Sequence, residues 1–187
     1  MKEALILHGT CDKEEFFDKD MSSLSNSHWF PWLQKNLLCH NFLCQTPEMP
    51  TPYNPNYEEW LKTFEKFYNQ NVKIIIGHSA GAGFMLKWLQ DNPETKLDKL
   101  ILVAPWLDIE KECADFLDFQ IKDNGLNNIK EISLFYSADD EKSILDSVDK
   151  ILSHYKNIKV YSFENKGHFV YGTIGSTFPE LWKIISE

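Results

Sequence analysis

Short, mainly apolar runs recur along this chain and alternate with amphipathic stretches of helical period. Ala4–Leu7 and Leu100–Ala104 are continuously apolar, as strands buried on both faces of a parallel sheet are; Val72–Ile76 reads as a short buried strand and Ile132–Tyr136 as another strand. Asn41–Gln45 and Ile158–Phe163 are further strand candidates. Between them, Trp32, Leu33, Asn36 and Leu37 fall at helical spacing in a segment that opens at Trp29 or Pro31 and runs to Leu38. Trp60, Leu61, Phe64, Phe67 and Tyr68 make one stripe of a Tyr57–Asn69 helix, a packing face. Ile144–Tyr155 and Phe178–Ile185 complete the helical set. Prolines 47, 50, 52 and 55 exclude helix from 46–56 and make it an extended connection. Cys11–Asn26 has no period and reads as a loop over the strand ends, and Pro105–Asn128 as a small helical insertion above them. The alternation predicts a mostly parallel sheet of about six strands with helices on both faces, an α/β fold, in a single domain spanning residues 1–187.

One stretch organises the rest. Val72–Ile76 leads into Gly77-His78-Ser79-Ala80-Gly81, and an apolar helix follows through Phe84, Met85, Leu86, Trp88 and Leu89 until Asp91-Asn92-Pro93 stops it. A strand, a Gly-x-Ser-x-Gly turn and a helix form a nucleophile elbow, in which a tight turn lifts one hydroxyl above the sheet. Ser79 is therefore the candidate nucleophile. A serine hydroxyl needs a base, and an imidazole held by a carboxylate supplies one near neutral pH. His168, in a Gly-His-Phe turn after the last strand, suits that role. His8 and His78 lie at strand ends with undetermined side-chain direction, and His28, His40 and His154 read as surface or packing residues. Asp139 and Asp140 both follow a strand, and either can be the acid. The order Ser…Asp…His is the one this elbow carries in its hydrolase context. Backbone N–H groups must also face the developing oxyanion. Ala80 supplies one, and Thr10, after the first strand, is the candidate for the second.

Composition narrows the partners. The formal net charge of −9 disfavours nucleic acid and anionic membrane surfaces. All nineteen basic residues are lysines, so no guanidinium can clamp a strongly anionic substrate. Cys11, Cys39, Cys44 and Cys113 contain no Cys-x-x-Cys pair and read as reduced thiols, which with the short N-terminal apolar run points to the cytoplasm and away from a membrane span. No Gly-x-Gly-x-x-Gly, Gly-Lys-Ser/Thr or His-Glu-x-x-His pattern occurs, so neither nucleotide cofactor nor metal is expected. Trp29, Trp106 and Phe169 near strand ends suggest an apolar acyl or aryl pocket, although each taken singly reads better as packing.

With these residues placed, the chain resembles the small serine hydrolases of the retinoblastoma-binding-protein-9 type and the YdeN-like bacterial proteins. The resemblance rests on Ile74-Ile75-Ile76-Gly77-His78-Ser79, His28-Trp29 with Trp32-Leu33, Met49-Pro50-x-Pro52 followed by Trp60, Ser137-x-Asp139-Asp140 and Gly167-His168-Phe169. It implies a three-layer α/β-hydrolase fold with minimal cap, and it places the acid of the triad on Asp140. Thr10-Cys11-Asp12 departs from the glycine-rich run of some relatives, and no Leu-x-Cys-x-Glu motif for pocket-protein binding is present. The expected function is metal-free hydrolysis of an ester, thioester or small amide, with a small-molecule acyl substrate. The alternative is a binding protein that kept the fold and lost turnover.

Overall fold

The computed structural model describes residues 1–113, 116–122 and 125–186. Strands β1 (Lys2–Leu7), β2 (Phe42–Gln45), β3 (Val72–His78), β4 (Leu97–Val103), β5 (Ile129–Ser137) and β6 (Lys159–Phe163) form one sheet of order β2-β1-β3-β4-β5-β6. Every pairing is parallel. The central strands β1, β3 and β4 contain the apolar runs of the sequence, and their C-terminal halves are buried. The strand β6 at one edge keeps Lys159 and Val160 exposed, as an edge with one free ladder allows.

The helices are α1 (Lys13–Phe17), α2 (Phe30–Cys39), α3 (Tyr57–Phe64), α4 (Ala80–Asp91), α5 (Lys142–His154), α6 (Tyr171–Ile174) and α7 (Pro179–Ser186). Strand parity assigns the larger ones to layers. Gly77 faces α4, because a Cβ there would lie 2.5 Å from Ala82 Cα. His78, one residue on, must face the other side, and its ring meets Trp29 and Phe30. Phe64 joins α3 to α4 through Trp88, and Gln90 of α4 bonds Tyr155 at the end of α5. On the opposite face Trp29 packs on Phe178, and His40 on Trp182, tying α2 to α7. This is the three-layer α/β-hydrolase architecture.

Several elements differ from the sequence expectation. Strands β4 and β5 begin three residues earlier than their apolar runs. Each extension opens on a buried apolar residue, Leu97 or Ile129, and its two polar residues carry ion pairs: Lys2 and Lys130 meet Asp98, and Lys99 and Lys159 meet Glu131. The Tyr57–Asn69 helix is shorter, ending as α-helix at Phe64 and continuing as turns. Asn56 caps its start by accepting from Glu59 N–H. The expected helical insertion at 105–128 contains no helix among the described residues. It runs as turns that bury Phe116, Leu117 and Leu126, and residues 114, 115, 123 and 124 lie outside the description. Cys11–Asn26 contains α1 and a 3₁₀ turn, Leu24–Asn26, within the expected loop.

Phe64 is fully buried against Tyr68, Phe84 and Trp88. Phe64→Ala should therefore lower the unfolding free energy by about 3–5 kcal/mol, read from the midpoint of a urea transition.

Candidate active site

Ser79 sits between β3 and α4 with φ 54° and ψ −124°, a left-handed conformation that costs a non-glycine residue about 1–3 kcal/mol. Its surroundings hold it there. Ser79 N–H donates to Val103 O at 2.9 Å, and Ser79 O accepts from Ala82, Gly83 and Trp106 N–H. The approach is so close that a Cβ on Gly81 would lie 2.4 Å from His8 O, which is why both elbow glycines are required. Ser79 is only 8% exposed, and its Oγ makes no hydrogen bond among the described residues.

His168 stands across the same cavity. Its Nδ1 lies 3.1 and 3.0 Å from the two oxygens of Asp140, whose side chain is almost completely buried. A carboxylate only accepts, so Nδ1 carries the proton and Nε2 is left as the free base. Asp139 has a different task. Its Oδ1 accepts from Gly167 N–H at 2.9 Å and from Ser137 Oγ–H, and these bonds hold its exposed carboxyl below the usual range. The neighbouring carboxylates thus divide: Asp140 touches the imidazole, and Asp139 fixes the loop that carries it.

Further side chains clamp the backbone of that loop. His78 Nε2–H donates to His168 O at 2.8 Å, Trp29 Nε1–H to Phe169 O at 2.9 Å, and Ser137 Oγ accepts from Lys166 N–H. Phe169 itself has φ 54°, so the loop is held in a strained shape by these ties. Trp29 and Phe169 are completely buried, and Trp106 alone of the three aromatics borders the cavity. Packing, the reading each takes singly, is where the structure puts Trp29 and Phe169, and only Trp106 remains for an apolar pocket wall.

Thr10 and Ala80 flank Ser79, and neither N–H has a partner among the described residues. The loop bearing Thr10 is positioned by His8, which the sequence left without a role. His8 Nδ1–H donates to Gly9 O at 2.7 Å, and its Nε2 accepts from Met49 N–H at 2.8 Å. Trp60 Nε1–H in turn donates to Pro50 O. The Met49-Pro50 and Trp60 signature is therefore the far side of one network whose near side is the first loop. Burial pushes the His8 imidazole below its ordinary value and outweighs Glu48 Oε1 at 3.7 Å, in keeping with the neutral tautomer that both bonds require.

His28 is not a surface residue. It lines the cavity wall beside His78 and accepts from Tyr171 N–H at 3.1 Å. Burial, then the charges of His168 and His8, push it down to about 4. His78 is pushed well below its ordinary range, first by burial and then by His168. Four histidines thus share one small space, and burial favours the neutral ring for three of them, His8, His28 and His78.

The space around Ser79 has two parts. A cavity of about 500 Å³ runs from Ser79 and His168 past Tyr53 and Trp106, and a smaller one of about 220 Å³ lies under His28 and Leu24. Glu15 of α1 borders both.

A model of the serine hydrolase family matches residues 21–187. The chain belongs to the serine hydrolase family. YdeN of Bacillus subtilis (strain 168) is 25% identical to this hydrolase over 197 aligned positions, covering all of this chain and 95% of YdeN. The crystal structure of the B. subtilis ydeN product superposes with a TM-score of 0.81 at 23% identity, covering 100% and 97% of the two chains. Est1E of Butyrivibrio proteoclasticus, solved with ferulic acid bound, superposes at 0.64 with 12% identity over 100% and 90%. An esterase domain from a Rhodothermus marinus protein superposes at 0.67 with 13% identity over 99% and 86%. These structures share the fold of the hydrolase. Among its described residues no helix is long and apolar enough to cross a membrane, and the four cysteines are free thiols.

The neutral histidines set a pH dependence of stability. The unfolded chain takes up a proton on His28 near 6.5, whereas the fold refuses it until about 4. Stability should therefore fall progressively as pH drops from 6.5 toward 4, and His8 and His78 add in the same direction. His28→Asn, which keeps an acceptor for Tyr171 N–H, should flatten that slope in urea titrations at pH 7.5, 6 and 5.

Proposed function

We propose that the hydrolase cleaves a carboxylic ester, thioester or small amide through an acyl-enzyme on Ser79. The observation that carries this reading is a strained, cavity-facing serine opposite an imidazole whose Nδ1 is bonded to a buried carboxylate. Ser79 Oγ attacks the carbonyl carbon while His168 Nε2 takes its proton. Asp140 keeps Nδ1 protonated and offsets the charge of the imidazolium. The Ala80 and Thr10 N–H groups receive the oxyanion, where donors without a prior partner stabilise charge most. His168 returns the proton to the leaving group, and a water activated by the same Nε2 then releases the acid from Ser79. No step needs a metal or an organic cofactor. Ser79 Oγ and His168 are not hydrogen-bonded before substrate arrives, a common state of free hydrolases that closes in the complex.

A non-catalytic binding protein would have no reason to keep a reactive serine, so labelling separates the readings. A fluorophosphonate probe should modify wild type at Ser79 and fail on Ser79→Ala and His168→Ala. A folded wild type that resists the probe at pH 7.5 would favour the binding protein. Asp140→Asn should lower kcat/KM on an activated ester by ~10³–10⁴-fold, the scale of losing the imidazole's orienting carboxylate. Asp139→Asn, which loosens only the loop backbone, should cost less than about tenfold.

A further inference from the structure

The larger cavity beside Ser79 is walled by carboxylates. Asp12, Glu15, Glu112 and Glu141 all border it, no lysine does among the described residues, and the chain has no arginine. None of the four pairs with a base among the described residues: Lys111 meets Asp118, and Lys142 meets Asp146. Two aromatic rings, Tyr53 and Trp106, share the same wall. Lys13 Nζ lies 5.9 Å from the Tyr53 ring centroid, so the chain's own cation stands beside that ring. At the floor is Ser79, more than nine-tenths buried, with its Oγ unpartnered and open to the cavity. We infer that this cavity selects substrates bearing a cationic alkylammonium group next to the scissile carbonyl.

The inference rests on the hydrolase reading of Ser79 and adds the substrate's charge to it. Carboxylates that line a concave wall hold a field over the whole cleft, and a bound cation meets several of them at once. The rings supply a second attraction, since an ammonium over an aromatic face is drawn by the ring quadrupole, and a quaternary one sheds little water to reach it. An anionic substrate would meet four like charges, against which the structure sets only Lys13 beside Tyr53 among the described residues. The carboxylates are exposed, so the preference is electrostatic, long-ranged and sensitive to salt.

The test reads protection of Ser79 from a neutral fluorophosphonate probe by two competitors of one shape, choline and 3,3-dimethyl-1-butanol. Choline should halve the labelling rate at a concentration ~5-fold or more below that of the neutral alcohol, the scale expected for a cation beside two or three solvated carboxylates. In Glu112→Gln/Glu141→Gln, and in wild type at 0.5 M NaCl, where the Debye length shrinks to about 4 Å, the two competitors should converge. Both glutamates are exposed, and Glu141 makes no side-chain cap to α5, so the variant should fold. Labelled protein that the competitors protect equally, or that choline does not protect, overturns the inference and leaves the hydrolase reading standing. A preference that survives both charge removal and salt also overturns it. Wild type that takes no label removes the hydrolase reading, and the inference with it.

Discussion

The structure depends on holding one serine in a backbone conformation that serine alone avoids. With φ at 54°, Ser79 stays in place because its carbonyl and N–H are both bound by neighbouring segments. That bonding demands that α4 lie almost on top of the ends of β1 and β3, and only residues without a Cβ permit it. The contact of Gly81 with His8 O and of Gly77 with Ala82 are two sides of the same requirement. Sheet order follows from it as well. Strands β1 and β4 flank β3, so the loops after all three converge on the serine.

Rigid loops complete what the elbow begins. The histidine loop is tied by side chains from three separate elements: His78 from β3, Trp29 before α2, and Asp139 after β5. The first loop is tied by His8 to the proline-rich segment, which Trp60 holds in turn. In each case a side chain satisfies a backbone group that no helix or strand could satisfy, which is how irregular backbone survives burial. The imidazoles of His8 and His78 do this as neutral rings, so burial that would be costly for a charge becomes a means of fixing geometry.

Charge is distributed in layers around the serine. Neutral histidines lie deepest, the Asp140–His168 pair is at the floor, and free carboxylates stand at the entrance. Such an order gives the cleft a net negative field at its exposed rim. The chain's overall charge of −9 has the same sign, so the cleft is not an isolated acidic spot on a neutral surface.

The alternation of strands and helices, the elbow at Ser79 and the order of Ser79, the Asp139-Asp140 pair and His168 were all legible in the sequence. Each is local: apolar runs, glycines at a turn and residues at strand ends leave their mark within a few positions. The starts of β4 and β5 left no clear mark, because in each a single buried residue, Leu97 or Ile129, is followed by two polar residues held by ion pairs. The residues alone left the acid open between Asp139 and Asp140; the family resemblance chose Asp140, and the fold puts that carboxylate on His168. Only the tertiary structure decided the rest. Asp140 meets His168 across 28 positions, His8 meets Met49 across 41, and Trp29 reaches Phe169 across 140. Which of two adjacent carboxylates turns inward, which aromatic becomes core and which acid faces the cleft all depend on side-chain direction. That direction is set by packing between segments distant in sequence, and no local pattern carries it.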